Sequence, residues 1–194
     1  MVTSPGYPFL FWTIFLTVSY WCWFLLEVRL LIRDRGAAGV TSRWWLVCWI
    51  GTGVVLGVFV VPYFVPFFKI RIWTVVFIGL GGILIWAGML LRVWAIWTLG
   101  RFFKTKVVIQ GDHNLIRSGP YRYLRNPSYT GILVTSVGFG LGIGNWLSTA
   151  LLLTAALVGL GRRIGIEEAA LAARFGKDYE AYRRGTWTLI PFVW

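Results

Sequence analysis

From Tyr129 through Gly161 the chain runs 33 residues without a charged side chain. As one helix that run would be roughly 50 Å long, whereas the hydrocarbon core of a bilayer is about 30 Å thick. The run must turn back on itself, and Gly144–Asn145 supplies the residue types that a turn uses. Two helices over 128–143 and 146–161 follow as a tight hairpin. Gly138, Gly140, Gly142 and Gly144 would let its arms approach closely.

Three further runs have spanning length. The first, about Tyr7 to Leu31, contains 18 uncharged residues (Phe9–Leu26). It has no basic leader and no small-residue cleavage site, so it reads as a retained span. The second, 44–68, opens on the aromatic anchor Trp44–Trp45 and is kinked or ended by Pro62 and Pro66. Within it, Gly53 and Gly57 form a small-residue pair for helix packing. The third, 72–97, is joined to it by the short connection Lys69–Ile70–Arg71. The expected fold class is an all-α integral membrane protein with five transmembrane helices. Apolar residues at 58%, charged residues at 13% and a mean hydropathy of +0.71 agree, since soluble domains carry about 25% charge.

Charge placement orients the frame. With the N-terminus outside and the C-terminus cytoplasmic, 17 of the 19 lysines and arginines and all seven acids fall on the cytoplasmic side. The net charge of +12 is thereby explained by topology and by anionic headgroups, without nucleic acid as a partner. Cys22 and Cys48 both lie in apolar runs, which leaves no disulfide framework and no metal-ligand spacing.

Chemistry concentrates in two cytoplasmic segments, 99–127 and 162–190. The first holds the chain's one histidine, His113, followed by a turn at Gly119–Pro120 and a helix entry at Asn126–Pro127. Asparagine is a good N-cap and proline suits the first helical position. Free N–H groups inside such an entry would favour a carboxylate or phosphate. The second segment reads as a short amphipathic helix opened by Glu167–Glu168 and stopped by Gly176, then another from Asp178 to Arg184. In the second of these, Tyr179 and Tyr182 serve packing.

Two intramembrane charges have open readings. Glu27 is either an interface residue paired with a neighbouring arginine or part of a substrate pathway. Arg92 either snorkels to headgroups or faces the bundle interior. No nucleophile dyad, P-loop or dinucleotide glycine pattern is present.

The segment His113, Leu115, Gly119, Tyr121, Arg125, Pro127, Tyr129, Gly131 resembles the signature of the isoprenylcysteine carboxyl methyltransferases and their relatives. Glu167–Glu168, Leu171, Phe175–Gly176, Tyr179, Tyr182 and Pro191 resemble that family's second block. The likeness covers about residues 79–191, and the short five-span layout is similar to prokaryotic members. It implies methyl transfer from S-adenosylmethionine to a lipophilic acceptor, most simply a prenylcysteine-like carboxylate entering from the membrane. It also implies a cofactor pocket built from the cytoplasmic loop and the C-terminal helices. His113 and Leu115 would line the nucleoside. Gly119, Tyr121, Arg125, Asn126, Tyr129, Glu167 and Glu168 would wrap the amino-acid part and sulfonium. Arg92 would orient the acceptor carboxylate, with Glu167 beside the reacting centre.

Asn126 stands where the family has a histidine, so a titrating role is absent at that position. A phospholipid amine methyltransferase, an NADPH-dependent sterol-type reductase and a non-catalytic membrane scaffold are the competing readings. The Arg125–Tyr129 run followed by Glu167–Glu168 favours the methyltransferase.

Overall fold

The computed structural model describes residues 7–33, 74–103 and 115–193. The expected span 44–68, the connection 69–71 and His113 lie outside the described residues. The described residues form five α-helices: α1 (Tyr7–Arg33), α2 (Thr74–Leu99), α3 (Pro127–Ile143), α4 (Trp146–Phe175) and α5 (Lys177–Arg184). Short 3₁₀ turns at Gly100–Phe102 and Gly119–Arg122 complete the described elements. Val76–Leu99 and Trp146–Phe175 are long and apolar enough to cross a membrane.

Glycine sets the centre of the bundle. A Cβ on Gly81 would stand 2.6 Å from the Gly138 carbonyl, and one on Gly131 would stand 2.6 Å from the Gly88 carbonyl. The α2 and α3 backbones therefore touch along an antiparallel crossing. Without a hydrophobic drive between helices in lipid, such close packing is what binds them. Gly138 and Gly142 thus face Gly81 in the α2–α3 crossing, whereas the expectation placed them in the hairpin. Gly140 does meet α4, at Thr149.

The hairpin turn is where the sequence put it. Gly144 takes a left-handed φ of 69°, and the Asn145 side chain caps α4 by accepting from the Ser148 N–H at 3.1 Å. Behind it, Ile132 and Leu133 of α3 pack on Ala156, Leu160 and Ile164 of α4.

α4 departs from expectation by running on from 161 to Phe175, so the separate helix opened by Glu167–Glu168 does not exist. Charged residues end a stay in hydrocarbon, but arginine, glutamate and alanine are good helix formers. Gly176, at φ 49°, stops the helix as expected.

α1 runs alongside α2 in the same direction. Phe15 lies against Gly82, the Trp86 indole N–H donates to Ser19 Oγ at 3.2 Å, and Leu30 packs on Ile96 and Phe103. The outward face of α2 is apolar, with Ile83, Leu90, Trp94 and Trp97 all more than half exposed. The C-terminal ends of α1 and α2, the start of α3 and the charged part of α4 share one end of the bundle.

Candidate active site

The polar residues at that end gather around the first turn of α3. Ser128, Tyr129 and Asn126 each join one arginine–glutamate pair, and the three pairs form a collar.

The Ser128 pair lies deepest. The Arg92 side chain is only 2% exposed. Its Nη1 donates to Ser128 Oγ at 2.7 Å and to the Ser128 carbonyl at 3.2 Å. Its Nη2 donates to Glu27 Oε2 at 2.9 Å, and Nε stands 2.7 Å from Glu27 Oε1. Arg92 therefore faces the bundle interior and does not snorkel, and Glu27 is its partner.

The second pair joins α3 to α4. The Tyr129 hydroxyl lies 2.8 and 2.9 Å from the two oxygens of Glu167, to which it donates. Arg163 donates from Nε to that hydroxyl and to Glu167 Oε1, and its Nη2 approaches the same oxygen at 2.8 Å. Arg163 is buried, with its guanidinium 5.8 Å from the centre of the Tyr129 ring. Sequence reasoning missed this residue, although its four-residue spacing from Glu167 is the signal for a helical ion pair.

The third pair ties the collar to the C-terminal tail. Arg125 Nε donates to Glu168 Oε1 at 2.9 Å. Nη1 donates to the carbonyls of Arg183 (2.9 Å) and Thr186, and Nη2 donates to Thr188 Oγ1. At most one N–H remains for a ligand. The guanidinium expected to face the cofactor instead fastens the tail, because the tail brings carbonyls within its reach. Backbone pairing reinforces this: Arg125 N–H donates to the Trp187 carbonyl (2.8 Å) and Trp187 N–H to the Tyr123 carbonyl (3.0 Å).

Asn126 begins α3, but its side chain does not cap it. Nδ2 donates to Glu168 Oε1 (3.4 Å) and to the Thr188 carbonyl (3.3 Å). The Tyr129 and Thr130 N–H groups both donate to the Asn126 carbonyl, and Pro127 has none. The anion site expected at this helix entry is thereby reduced to the Ser128 N–H.

Gly119 adopts a φ of 56°, and a Cβ there would stand 2.9 Å from Thr98 Oγ1. This glycine lets the 119–122 turn lie against α2 and buries Tyr121. Burial pushes the Tyr121 hydroxyl well above the ordinary phenol range, and Tyr129, Tyr182 and Glu167 add to the shift, while Arg92 opposes it. Tyr121 is thus buried in the turn and stays neutral. Leu115, at the start of the described segment, is half-buried. Tyr182 is buried and donates to the Tyr121 carbonyl at 2.7 Å. Tyr179 is buried too, and its hydroxyl has no hydrogen-bond partner among the described residues.

Residues 80–173 match the model of the isoprenylcysteine carboxyl methyltransferase (ICMT) family. A probable protein-S-isoprenylcysteine O-methyltransferase of Oryza sativa subsp. indica is 34% identical over 123 residues, covering 62% of this chain and 63% of the relative. The protein-S-isoprenylcysteine O-methyltransferase of Tribolium castaneum is 33% identical over 137 residues, covering 70% of this chain and 48% of the relative. Among solved structures, the eukaryotic intramembrane Ras methyltransferase ICMT aligns with a TM-score of 0.63 at 29% identity. That alignment covers 79% of this chain and 55% of the other. The chain therefore spans between about half and 63% of these relatives. The matched segment holds Arg92, the 119–131 run and Glu167–Glu168, and through it the chain is similar to the isoprenylcysteine carboxyl methyltransferase family.

Proposed function

We propose that this chain is a membrane methyltransferase that uses S-adenosylmethionine to methylate the carboxylate of a lipophilic, prenylcysteine-like acceptor. The observation that carries this reading is the collar itself. A buried guanidinium, two glutamates and Tyr129 converge at one end of an apolar bundle, within the segment matched to the family, with the buried Tyr121 on the adjoining turn.

The residues present suit the cofactor's cationic half. Glu168 uses Oε1 for both Arg125 and Asn126, which leaves Oε2 for an ammonium group. The Tyr179 hydroxyl, without a partner among the described residues, lies in the field of Glu168 and Arg125 and offers a further polar contact. The faces of Tyr121 and Tyr129 favour a sulfonium, with Glu167 beside it. His113 and Leu115 would line the nucleoside, and Gly119 keeps the backbone of that wall close to α2. Arg125 acts by holding the tail against Glu168 and so is a positioning residue.

When bound, S-adenosylmethionine supplies an electrophilic methyl group. A carboxylate acceptor needs no base, so Asn126 in place of histidine costs nothing. Arg92 would hold that carboxylate, and positioning in a dry pocket can contribute up to roughly 7–11 kcal/mol.

The five-span layout, with the site facing the cytoplasm of a cell membrane, belongs to the same proposal. The parallel run of α1 and α2 supports it, as does the charge distribution along the sequence. The acceptor would enter sideways from the bilayer.

The test is calorimetric titration of the detergent-purified protein with S-adenosylhomocysteine and, separately, NADPH. Saturable binding of the first alone is expected. Binding of NADPH alone would replace the methyltransferase by a reductase.

A further inference from the structure

The Nε–Nη2 edge of a guanidinium is the fork that takes a carboxylate through two parallel hydrogen bonds. In Arg92 that edge already faces one, because Glu27 Oε2 accepts from Nη2 at 2.9 Å and Oε1 stands 2.7 Å from Nε. Only one of the two contacts is aligned. Among the described residues neither Nε nor Oε1 has a hydrogen-bond partner, despite their ionic approach. The other nitrogen, Nη1, is fixed by both the hydroxyl and the carbonyl of Ser128. Arg92 is thus held firmly from α3 and meets a less well matched carboxylate from α1.

Resting on the methyltransferase reading, we propose that Glu27 is an internal stand-in for the acceptor's carboxylate. It occupies the Arg92 fork between turnovers, yields it to the incoming acceptor, and retakes it once methylation has made a neutral ester. A buried arginine stripped of its counter-ion is strongly destabilising, so some anion must face it at each stage. The acceptor brings one on entry. A carboxylate oxygen then bonds to the methyl carbon as the carbon–sulfur bond breaks, the electron pair stays on sulfur, and no proton moves. The ester retains only neutral oxygens, which lack the charge–charge attraction that binds a carboxylate to the guanidinium. Glu27 displaces it, so one exchange both selects carboxylate acceptors and releases the product.

The test is steady-state kinetics on the full chain with N-acetyl-S-farnesylcysteine and S-adenosylmethionine in detergent, with the acceptor's methyl ester as product inhibitor. In Glu27→Gln the fork loses its charged competitor. KM for the acceptor should fall roughly tenfold and the ester should inhibit more tightly, with S-adenosylhomocysteine affinity unchanged. An unchanged or raised KM in a variant that still binds S-adenosylhomocysteine overturns the stand-in role. Failure of the unsubstituted protein to bind S-adenosylhomocysteine or to methylate the probe overturns the methyltransferase reading instead. If Glu27→Gln does not fold, Glu27→Asp, which draws the carboxylate back by one methylene, decides in the same way. Loss of folding in both makes the pair structural and overturns the inference.

Discussion

The α2–α3 crossing and the collar lie on the same two helices, and different forces hold them. In the crossing, Gly81 and Gly88 meet Gly131, Gly138 and Gly142 backbone to backbone, and no charge takes part. In the collar three arginines and three glutamates hold together parts of the chain up to 65 residues apart. The first region fixes distances to a few tenths of an ångström because atoms cannot overlap. The second depends on each charge keeping its partner. The two meet at Arg92, whose Cβ would stand 3.0 Å from a Cβ on Gly131 while its guanidinium belongs to the collar. The crossing therefore sets where the site's deepest charge stands, and the collar sets what that charge can do.

The collar should be the more fragile of the two to a single truncation. Arg125→Ala leaves Glu168, with its side chain 16% exposed, without its counter-ion, and takes a donor from two tail carbonyls. Breaking a buried pair from one side costs about 3–5 kcal/mol. The expected outcome is loss of S-adenosylhomocysteine binding together with rapid proteolysis within residues 177–193. Binding lost while the tail stays protected would make Arg125 a direct ligand of the cofactor.

The crossing should answer with a smaller but position-specific effect. A Cβ on Gly88 would lie 2.5 Å from the Gly131 carbonyl, whereas a Cβ on Gly161 meets nothing within 4 Å. Gly88→Ala should lower thermal stability in detergent by about 1–3 kcal/mol through overpacking. Gly161→Ala should raise it by up to about 1 kcal/mol, as alanine does in an open helix position. Equal effects at the two sites would mean that the crossing is slack and that steric contact does not position Arg92.

The same division separates what could be read from the sequence from what could not. The hairpin was legible because bilayer thickness forbids one long helix and Gly144–Asn145 is a local turn signal. The starts of α1 and α3 and the stop at Gly176 were equally local. Glycine spacing reveals that helices approach closely, but not which ones: Gly138 and Gly142 lie in the hairpin by sequence and yet face Gly81 of α2. Asn126 illustrates the limit: every local rule makes it a cap, yet Glu168 and Thr188, 42 and 62 residues away, take its amide. Glu27 and Arg92 stood out as charges within apolar runs, but their pairing depends on how α1 lies beside α2. Arg163 carries no such signal, because charges after Gly161 mark the end of a stay in hydrocarbon as readily as the continuation of a helix.

The smallest effect tests whether the tail is part of the collar or merely beside it. Tyr182 joins α5 to the 119–122 turn through one hydrogen bond, from its hydroxyl to the Tyr121 carbonyl. Removing it in Tyr182→Phe should cost about 1 kcal/mol near neutral pH. Burial pushes the Tyr182 hydroxyl up to about 12, against the lowering influence of Arg125 and Arg117. A phenol raised in the folded state favours folding below its ordinary value of 10.0, and that contribution disappears as pH rises towards about 12. The unsubstituted protein should therefore lose stability between these values, and the gap to Tyr182→Phe should narrow over the same window in thermal unfolding. A gap independent of pH would mean that the phenol is solvated and that the tail is held by Arg125 and the backbone pairing at Trp187 without it.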